Sequence, residues 1–168
     1  MKELEYPFDA AYIIKKRKSL KKTLLADGTS RIRKKIAVFG GSTTSDIVKT
    51  LELFLLDAGI EPEFYESEYA QYFQDAMFPD ETLLSFKPDI VFIHTTNRNV
   101  TDWPEMTDTT EQIDEKLHTE INRFTAMWKS IAEKFHCPII QNNFEMPFYR
   151  LMGNKEASDL HGSINFAA

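Results

Sequence analysis

The chain has 168 residues, of which 42% are hydrophobic and 27% charged. These are values of a globular protein, so they exclude wholesale disorder, and the length suits one ordinary domain. The net charge of −6 is unevenly distributed. Residues 1–35 hold eleven basic and four acidic side chains, whereas the remainder holds nine basic and twenty-two acidic ones. Because the chain is not basic overall, we expect no nucleic-acid partner.

The start of the chain bears on the cellular compartment, and the single cysteine bears on disulfide and zinc chemistry. The opening "MKELEYPFDAAYIIKKRK" places acids before a short apolar stretch and bases after it, an order that differs from a secretory signal. No apolar run approaches the length of a membrane span, so we expect a cytoplasmic protein with no membrane partner. One cysteine, Cys137, permits neither an intrachain disulfide nor a cysteine-based zinc site. We predict no metal and no cofactor.

Helical and strand patterns alternate along the chain. A basic amphipathic helix is predicted over Phe8–Leu25, with "ADGTS" as its stop. Strands are predicted at "KKIAVFGG", "IEPEFYESE", "KPDIVFIHTTN" and "CPIIQNN", the second being the weakest because it is acidic and contains a proline. Longer helices are predicted at "TTSDIVKTLELFLLDAG" and Asp108–Phe135, and "YAQYFQDAMF" and "DETLLSF" suggest a loop and a short helix.

This alternation predicts βαβ units and a three-layer α/β sandwich with a mainly parallel sheet. We divide the chain into an N-terminal basic helix, residues 1–30, and an α/β domain, residues 31–168. Three of the four predicted strands end in polar clusters, "GGSTTS", "HTTNRN" and "QNN". Ligands of parallel sheets gather outside the carboxyl ends of the strands, so these clusters predict a functional site at that edge.

The cluster "GGSTTS" allows three interpretations. Two glycines let the backbone turn sharply, and a helix start offers free N–H groups. Ser42 could therefore be a nucleophile, the turn could hold an anion, or the hydroxyls could simply cap the helix. The cluster lacks the glycine–lysine–hydroxyl ending of a Walker A loop, and it is not G-x-G-x-x-G.

Two further clusters carry candidate site residues. Past the third strand, Asn97 could donate its amide to an oxyanion, and Arg98 could pair with a carboxylate or phosphate or face solvent. His94 lies within the strand itself, where a structural histidine is the expected role. Near the C-terminus, Asp159 and His161 supply a carboxylate and an imidazole, either as an orienting pair or in a polar surface turn.

The predicted N-terminal helix carries a basic face. Such a face is either a solvated surface or a site that steers an acidic partner, such as an acyl carrier protein. Its members are Lys15, Lys16, Arg17, Lys18, Lys21 and Lys22.

These motifs resemble those of the SGNH-hydrolase superfamily. The segment Gly40-Gly41-Ser42 is similar to its first block, Gly-Asp-Ser, with the aspartate replaced. Thr95-Thr96-Asn97-Arg98 keeps only the asparagine of Gly-x-Asn-Asp, and Asp159-Leu160-His161 is one residue shorter than Asp-x-x-His. The second-block glycine has no counterpart, because no glycine occurs between Gly59 and Gly153.

The resemblance implies a flavodoxin-like α/β fold and roles for the matching residues. Ser42 would be the nucleophile, and His161 the base that Asp159 orients. The Ser42 N–H and the Asn97 amide would hold the oxyanion, with Gly41 and Arg98 in the same substrate-binding set.

A closer resemblance is to the N-terminal domain of FkbH-like proteins. The phrases "GGSTTSDIVKTLELFLLDAGIEPEFYESEY", "FKPDIVFIHTTNRN" and "IIQNNFEMPFYRLMGN" carry it, in order, over residues 34–165. In that family an SGNH-like domain precedes a HAD-type phosphatase domain, which loads a glyceryl unit onto a carrier protein in polyketide and surface-glycan pathways. The HAD motif Asp-x-Asp-x-Thr is absent here, so we expect a fragment of a longer chain with a HAD-type domain.

Two functions follow from the resemblance. One is a degenerate module that docks a carrier protein or scaffolds the HAD-type domain. The other is an active acyl-ester hydrolase or acyltransferase that uses Ser42, with Asn97 as an oxyanion donor.

Overall fold

The computed structural model describes all 168 residues and contains one four-stranded parallel sheet. The strands are β1 (Ile32–Gly40), β2 (Ile60–Glu66), β3 (Ile90–His94) and β4 (Ile139–Gln141), in the order β2-β1-β3-β4. This order matches the first four positions of the flavodoxin-like sheet. All four strands were predicted from the sequence, including the acidic β2.

Six α-helices surround the sheet. They are α1 (Ala10–Ala26), α2 (Ser45–Asp57), α3 (Tyr72–Met77), α4 (Glu81–Phe86), α5 (Thr110–Phe135) and α6 (Ser163–Ala167). Short 3₁₀ helices lie at Lys2–Leu4, Asn97–Asn99 and Gly153–Ala157. The segment "YAQYFQDAMF", predicted as a loop, contains helix α3. No helix combines the length and the hydrophobicity that crossing a bilayer requires.

Local signals in the sequence explain where the helices begin and end. Thr109 and Gln112 form a reciprocal capping box at the start of α5, and Asp80 caps α4 through the Leu83 N–H. Helix α5 ends at His136, whose φ of 52° is in the left-handed region, and Lys87 ends α4 in the same way.

Two apolar clusters lie between the layers. The larger joins one face of the sheet to α3, α4 and α5, and includes Phe39, Ile93 and Met127, all fully buried. The smaller joins α1 to α2 through Leu20, Leu24, Leu53 and Leu56, among others. Helix α2 in turn packs against β2, so helices cover the sheet from both sides, which confirms the predicted three-layer α/β sandwich. The predicted N-terminal helix is α1.

Register places the polar ends of β1 and β3 side by side. Gly40, the last residue of β1, pairs with His94, the last residue of β3. The Gly41 N–H donates to the His94 carbonyl at 2.7 Å, which extends the pairing by one bond. The turn after β1 and the loop after β3 therefore start from neighbouring positions on one edge of the sheet.

Candidate site at the carboxyl edge of the sheet

The turn Gly41–Thr44 joins β1 to α2 and holds Ser42 half-buried. The Ser42 side chain makes no hydrogen bond to another group of the protein. Thr44, the residue before α2, makes no side-chain bond to the N–H groups of the helix. Its hydroxyl donates instead to the Glu66 carboxylate, at 2.7 Å. The N-cap hydroxyl therefore fastens the turn to β2, and the Ser42 hydroxyl is left free.

The loop after β3 packs directly on Gly41. A Cβ at this position would lie 2.4 Å from the Oδ1 atom of Asn99, so any larger residue would displace the Asn99 side chain. The Asn99 amide also donates to the Gly41 carbonyl at 3.0 Å, and its Oδ1 accepts from the Thr96 N–H at 2.8 Å. An aspartate here, as in the Gly-Asp-Ser motif, would have to displace the Asn99 side chain. Glycine at this position therefore permits the contact between Asn99 and the turn.

Asn97 is held by the segment that follows β4. Its side-chain amide donates to the Glu145 carbonyl and its backbone N–H to the Glu145 carboxylate, both at 3.2 Å. One N–H of the predicted oxyanion donor is therefore already in use. The neighbouring Arg98 side chain is exposed and forms no ion pair.

The structure brings Asp159 and His161 together. The His161 Nδ1 lies 2.9 Å from an Asp159 carboxylate oxygen, and this contact raises the pKa of His161 and lowers that of Asp159. The His161 Nε2 lies 3.0 Å from the Asp108 carbonyl oxygen, which can only accept, so Nε2 carries a proton. Both ring nitrogens are donors in this arrangement, and no hydrogen bond joins His161 to Ser42.

A cleft of about 710 Å³ gathers three of the predicted site residues, Asn97, Arg98 and His161. Ser42 does not line this cleft. Aromatic and methionine side chains form much of its wall, including Trp103 and Phe148. The predicted residues thus fall into two groups. Gly41 and Ser42 lie at the sheet edge, whereas Asn97, Arg98 and His161 line the cleft and Asp159 is bonded to His161. Nowhere do three or more His, Cys, Asp or Glu side chains come together as metal ligands.

Sequence reasoning missed the residues that hold the edge together. Asn99 clamps the turn at Gly41, Glu145 holds Asn97, and Asn142 bonds to the His94 side chain at 3.1 Å. Thr96 and Asn99 form a reciprocal capping box, and their three-residue spacing was a usable signal. Asn142 belongs to "QNN", which predicts a polar strand end but does not indicate a bond to His94.

The fold and the edge geometry define an α/β sandwich with a loop cluster at the carboxyl ends of its parallel strands. No protein-family profile matches the chain, and a comparison with curated proteins also finds no match. Among solved structures, the chain is similar to the N-terminal part of the protein BF1531 from Bacteroides fragilis, which contains a phosphatase domain and was solved with Mg. The TM-score is 0.69 at 15% sequence identity.

This similarity covers 90% of the present chain and 39% of the Bacteroides fragilis chain. At that identity the likeness shows the fold alone. The phosphatase domain belongs to the neighbour, and the chain spans well under half of the neighbour's length.

Proposed function

We propose that this chain is the N-terminal module of an FkbH-like protein, and that it docks an acidic carrier protein for a HAD-type domain of the same longer chain. Two observations support this proposal. One is the sequence resemblance over residues 34–165, and the other is the structural likeness to the Bacteroides fragilis chain, which contains a phosphatase domain. Exposed apolar side chains offer a surface that another domain would cover, among them Phe148 and Leu151, which are 89% and 91% exposed.

The observation that carries the docking proposal is the charge on the outer face of α1. Arg17 and Lys21 face α2, where each forms an ion pair at 2.7 Å, with Asp46 and Glu52 respectively. The lysines on the outer face have no carboxylate within 4.0 Å. These unpaired lysines are Lys15, Lys16, Lys18 and Lys22.

Three of these lysines form a stripe along the helix. Lys15, Lys18 and Lys22 are three and four residues apart, so their side chains project from the same side. Ile14 and Leu25 flank the stripe and are 57% and 51% exposed. A cationic stripe with apolar flanks is complementary to an acidic protein surface that presents some apolar side chains. Acyl carrier proteins are of this kind.

Charge reversal on α1 tests the docking proposal. We expect the triple variant Lys15→Glu, Lys18→Glu, Lys22→Glu to weaken binding of a bacterial holo acyl carrier protein by at least about tenfold, measured by titration calorimetry at low salt. The matched control is Arg33→Glu, Lys129→Glu, Lys155→Glu, which changes the net charge equally at exposed sites elsewhere and should bind like the wild type. Equal affinity of both triple variants would refute docking on α1.

A second candidate function is acyl-ester hydrolysis or transfer by Ser42. The observation that favours it is the free hydroxyl at the carboxyl edge of the sheet, next to a tightly built glycine turn. We expect wild-type protein to hydrolyse short acyl esters or thioesters and the Ser42→Ala variant to lose that activity. Equal rates for the two proteins would remove Ser42 as the nucleophile.

A further inference from the structure

His94 stands at the carboxyl end of β3 with a hydrogen-bonding partner that fixes its orientation. Its Nδ1 lies 3.1 Å from Asn142 Oδ1, and the ring is half-buried beside Phe92. Asn142 follows the last residue of β4, so two neighbouring strand ends contribute to this pair.

The bonds of Asn142 determine which of its atoms faces the imidazole. Its Nδ2 donates to the carbonyl oxygens of Thr95 and Asn143, at 2.7 and 2.8 Å, and its Oδ1 accepts from the Thr95 N–H at 3.1 Å. Exchanging the oxygen and nitrogen of this amide would set its oxygen against two carbonyl oxygens and its NH2 group against the Thr95 N–H. The atom facing His94 is therefore an oxygen.

This assignment decides the tautomer of the imidazole. An amide oxygen only accepts, so Nδ1 of His94 carries the proton and donates it. In the neutral ring Nε2 then holds a free lone pair, and this nitrogen has no hydrogen-bond partner in the protein. An imidazole oriented by an amide oxygen through Nδ1–H is the arrangement that a general base requires.

The register places the His94 side chain on the face of the sheet over which the Ser42 turn folds. His94 pairs with Gly40, so its side chain leaves the sheet on the face where Gly40 has only hydrogen. The turn folds over that same face, because a Cβ on Gly40 would lie 2.8 Å from the Ser42 carbonyl oxygen. The Thr44 methyl group would lie 2.7 Å from the same Cβ, so the lack of a side chain at Gly40 lets the turn that carries the free hydroxyl fold against the strand end paired with His94.

We propose that His94, oriented by Asn142, is the general base for Ser42. The proposal rests on the second candidate function, acyl transfer at Ser42. In the first step the Ser42 Oγ bonds to the ester carbonyl carbon while its proton passes to His94 Nε2. The tetrahedral intermediate then collapses, the bond to the leaving alcohol breaks, and the imidazolium returns its proton to that alcohol. Water, or an acceptor alcohol, repeats the sequence on the acyl-serine and regenerates both side chains.

The tautomer can be read directly on the wild-type protein. Long-range ¹H–¹⁵N correlation spectra at about pH 8.5, where an ordinary histidine is neutral, distinguish the two protonation patterns of each imidazole. We expect the Nδ1–H form for His94, and the Asn142→Ala variant should shift the ring towards a mixture. An Nε2–H form of His94 in the wild type would overturn the proposal.

Covalent labelling tests the chemistry. A fluorophosphonate probe adds to an activated serine with loss of fluoride, and mass spectrometry locates the adduct. We expect the Ser42 labelling rate to fall by about a hundredfold or more in His94→Gln and to remain unchanged in His118→Gln, whose exposed histidine lies on α5. Wild-type labelling rates in His94→Gln, with the Ser42 adduct present, would refute the role of His94 alone. Absence of a Ser42 adduct in wild type would remove the acyl-transfer function and this role with it.

Discussion

The two histidines near the predicted site differ in what their ring nitrogens can do. His161 donates from both nitrogens, to Asp159 and to the Asp108 carbonyl, so its protonated form is stabilised. His94 donates from Nδ1 alone and keeps Nε2 free. The motif resemblance favoured His161 as a base, but its hydrogen bonds favour the imidazolium. At this scale the acceptor that faces each nitrogen matters more than the residue's place in a motif.

The raised pKa of His161 predicts a pH-dependent contribution to stability. The hydrogen bond to Asp159 raises the pKa above its ordinary value of 6.5, so the folded state binds the proton more tightly than the unfolded state. The stabilisation is complete below 6.5 and is lost as the pH rises through the raised value. Urea unfolding of wild type and His161→Gln should therefore differ more at about pH 5.5 than at about pH 8.5.

The Asp159→Asn background provides the control for this prediction. Without the carboxylate, only the contacts with Asp108 still raise the pKa of His161, so the effect of His161→Gln on stability should differ less between the two pH values. If the unfolding free energies of wild type and His161→Gln differ equally at both pH values, the bond to Asp159 does not favour protonation of His161.

At the scale of elements, an ion pair within α5, between the half-buried Arg123 and the buried Glu120, ties this helix to the loop after β3. Arg123 binds Glu120 at 2.7 Å and donates to the Asn99 carbonyl at 2.7 Å and to the Tyr72 hydroxyl at 2.8 Å. Glu120 in turn accepts from the backbone N–H and hydroxyl of Thr101. Burial alone would raise the pKa of Glu120, but the bonds from Thr101 and Arg123 outweigh it and lower that pKa. The loop that positions Asn97 and Asn99 is thereby anchored to the longest helix.

Removing the arginine should be costly because it leaves the Glu120 carboxylate buried without its cationic partner, with only the bonds from Thr101. The Glu120 side chain is 8% exposed, and we expect Arg123→Ala to lower the unfolding free energy by about 3–5 kcal/mol. The control is Lys129→Ala on the same helix, whose ion pair with Glu133 is exposed and 4.0 Å long, and whose cost should be below about 1 kcal/mol. Urea unfolding measures both. Similar small losses for the two variants would contradict an anchoring role for Arg123.

At the scale of the whole molecule, α2 packs against α1 through the smaller apolar cluster and against strand β2, so the α1 layer and the sheet should unfold together. Leu24 is 2% exposed and belongs to the cluster of α1 and α2. Trp128 lies on α5, and its indole N–H donates to the side chain of Gln141, the last residue of β4. A small domain with one sheet is expected to unfold in a single transition. A destabilising substitution in α1 should then lower the unfolding midpoint that is reported by Trp128 on α5.

Leu24→Ala tests this cooperativity. We expect a loss of about 2–5 kcal/mol, with the same midpoint from tryptophan fluorescence and from far-ultraviolet circular dichroism. Leu25→Ala is the matched control, since Leu25 is 51% exposed and its truncation should cost below about 0.5 kcal/mol. Separate midpoints for the two probes would show that α1 is an independent unit.

The sequence by itself determined the elements of this protein. Apolar spacing of two or about 3.6 residues and local end signals are short-range properties, so all four strands and the helices α1, α2 and α5 were predictable. Even the edge at which polar residues meet followed, because the carboxyl ends of parallel strands must face the same way.

Only the tertiary structure decided which polar groups meet at that edge. The clamp of Asn99 on Gly41, the hold of Glu145 on Asn97 and the pairing of His94 with Asn142 join residues 48 to 58 positions apart. A hydrogen bond depends on tenths of an ångström between such segments, and this precision comes from strand register and helix packing rather than from local sequence.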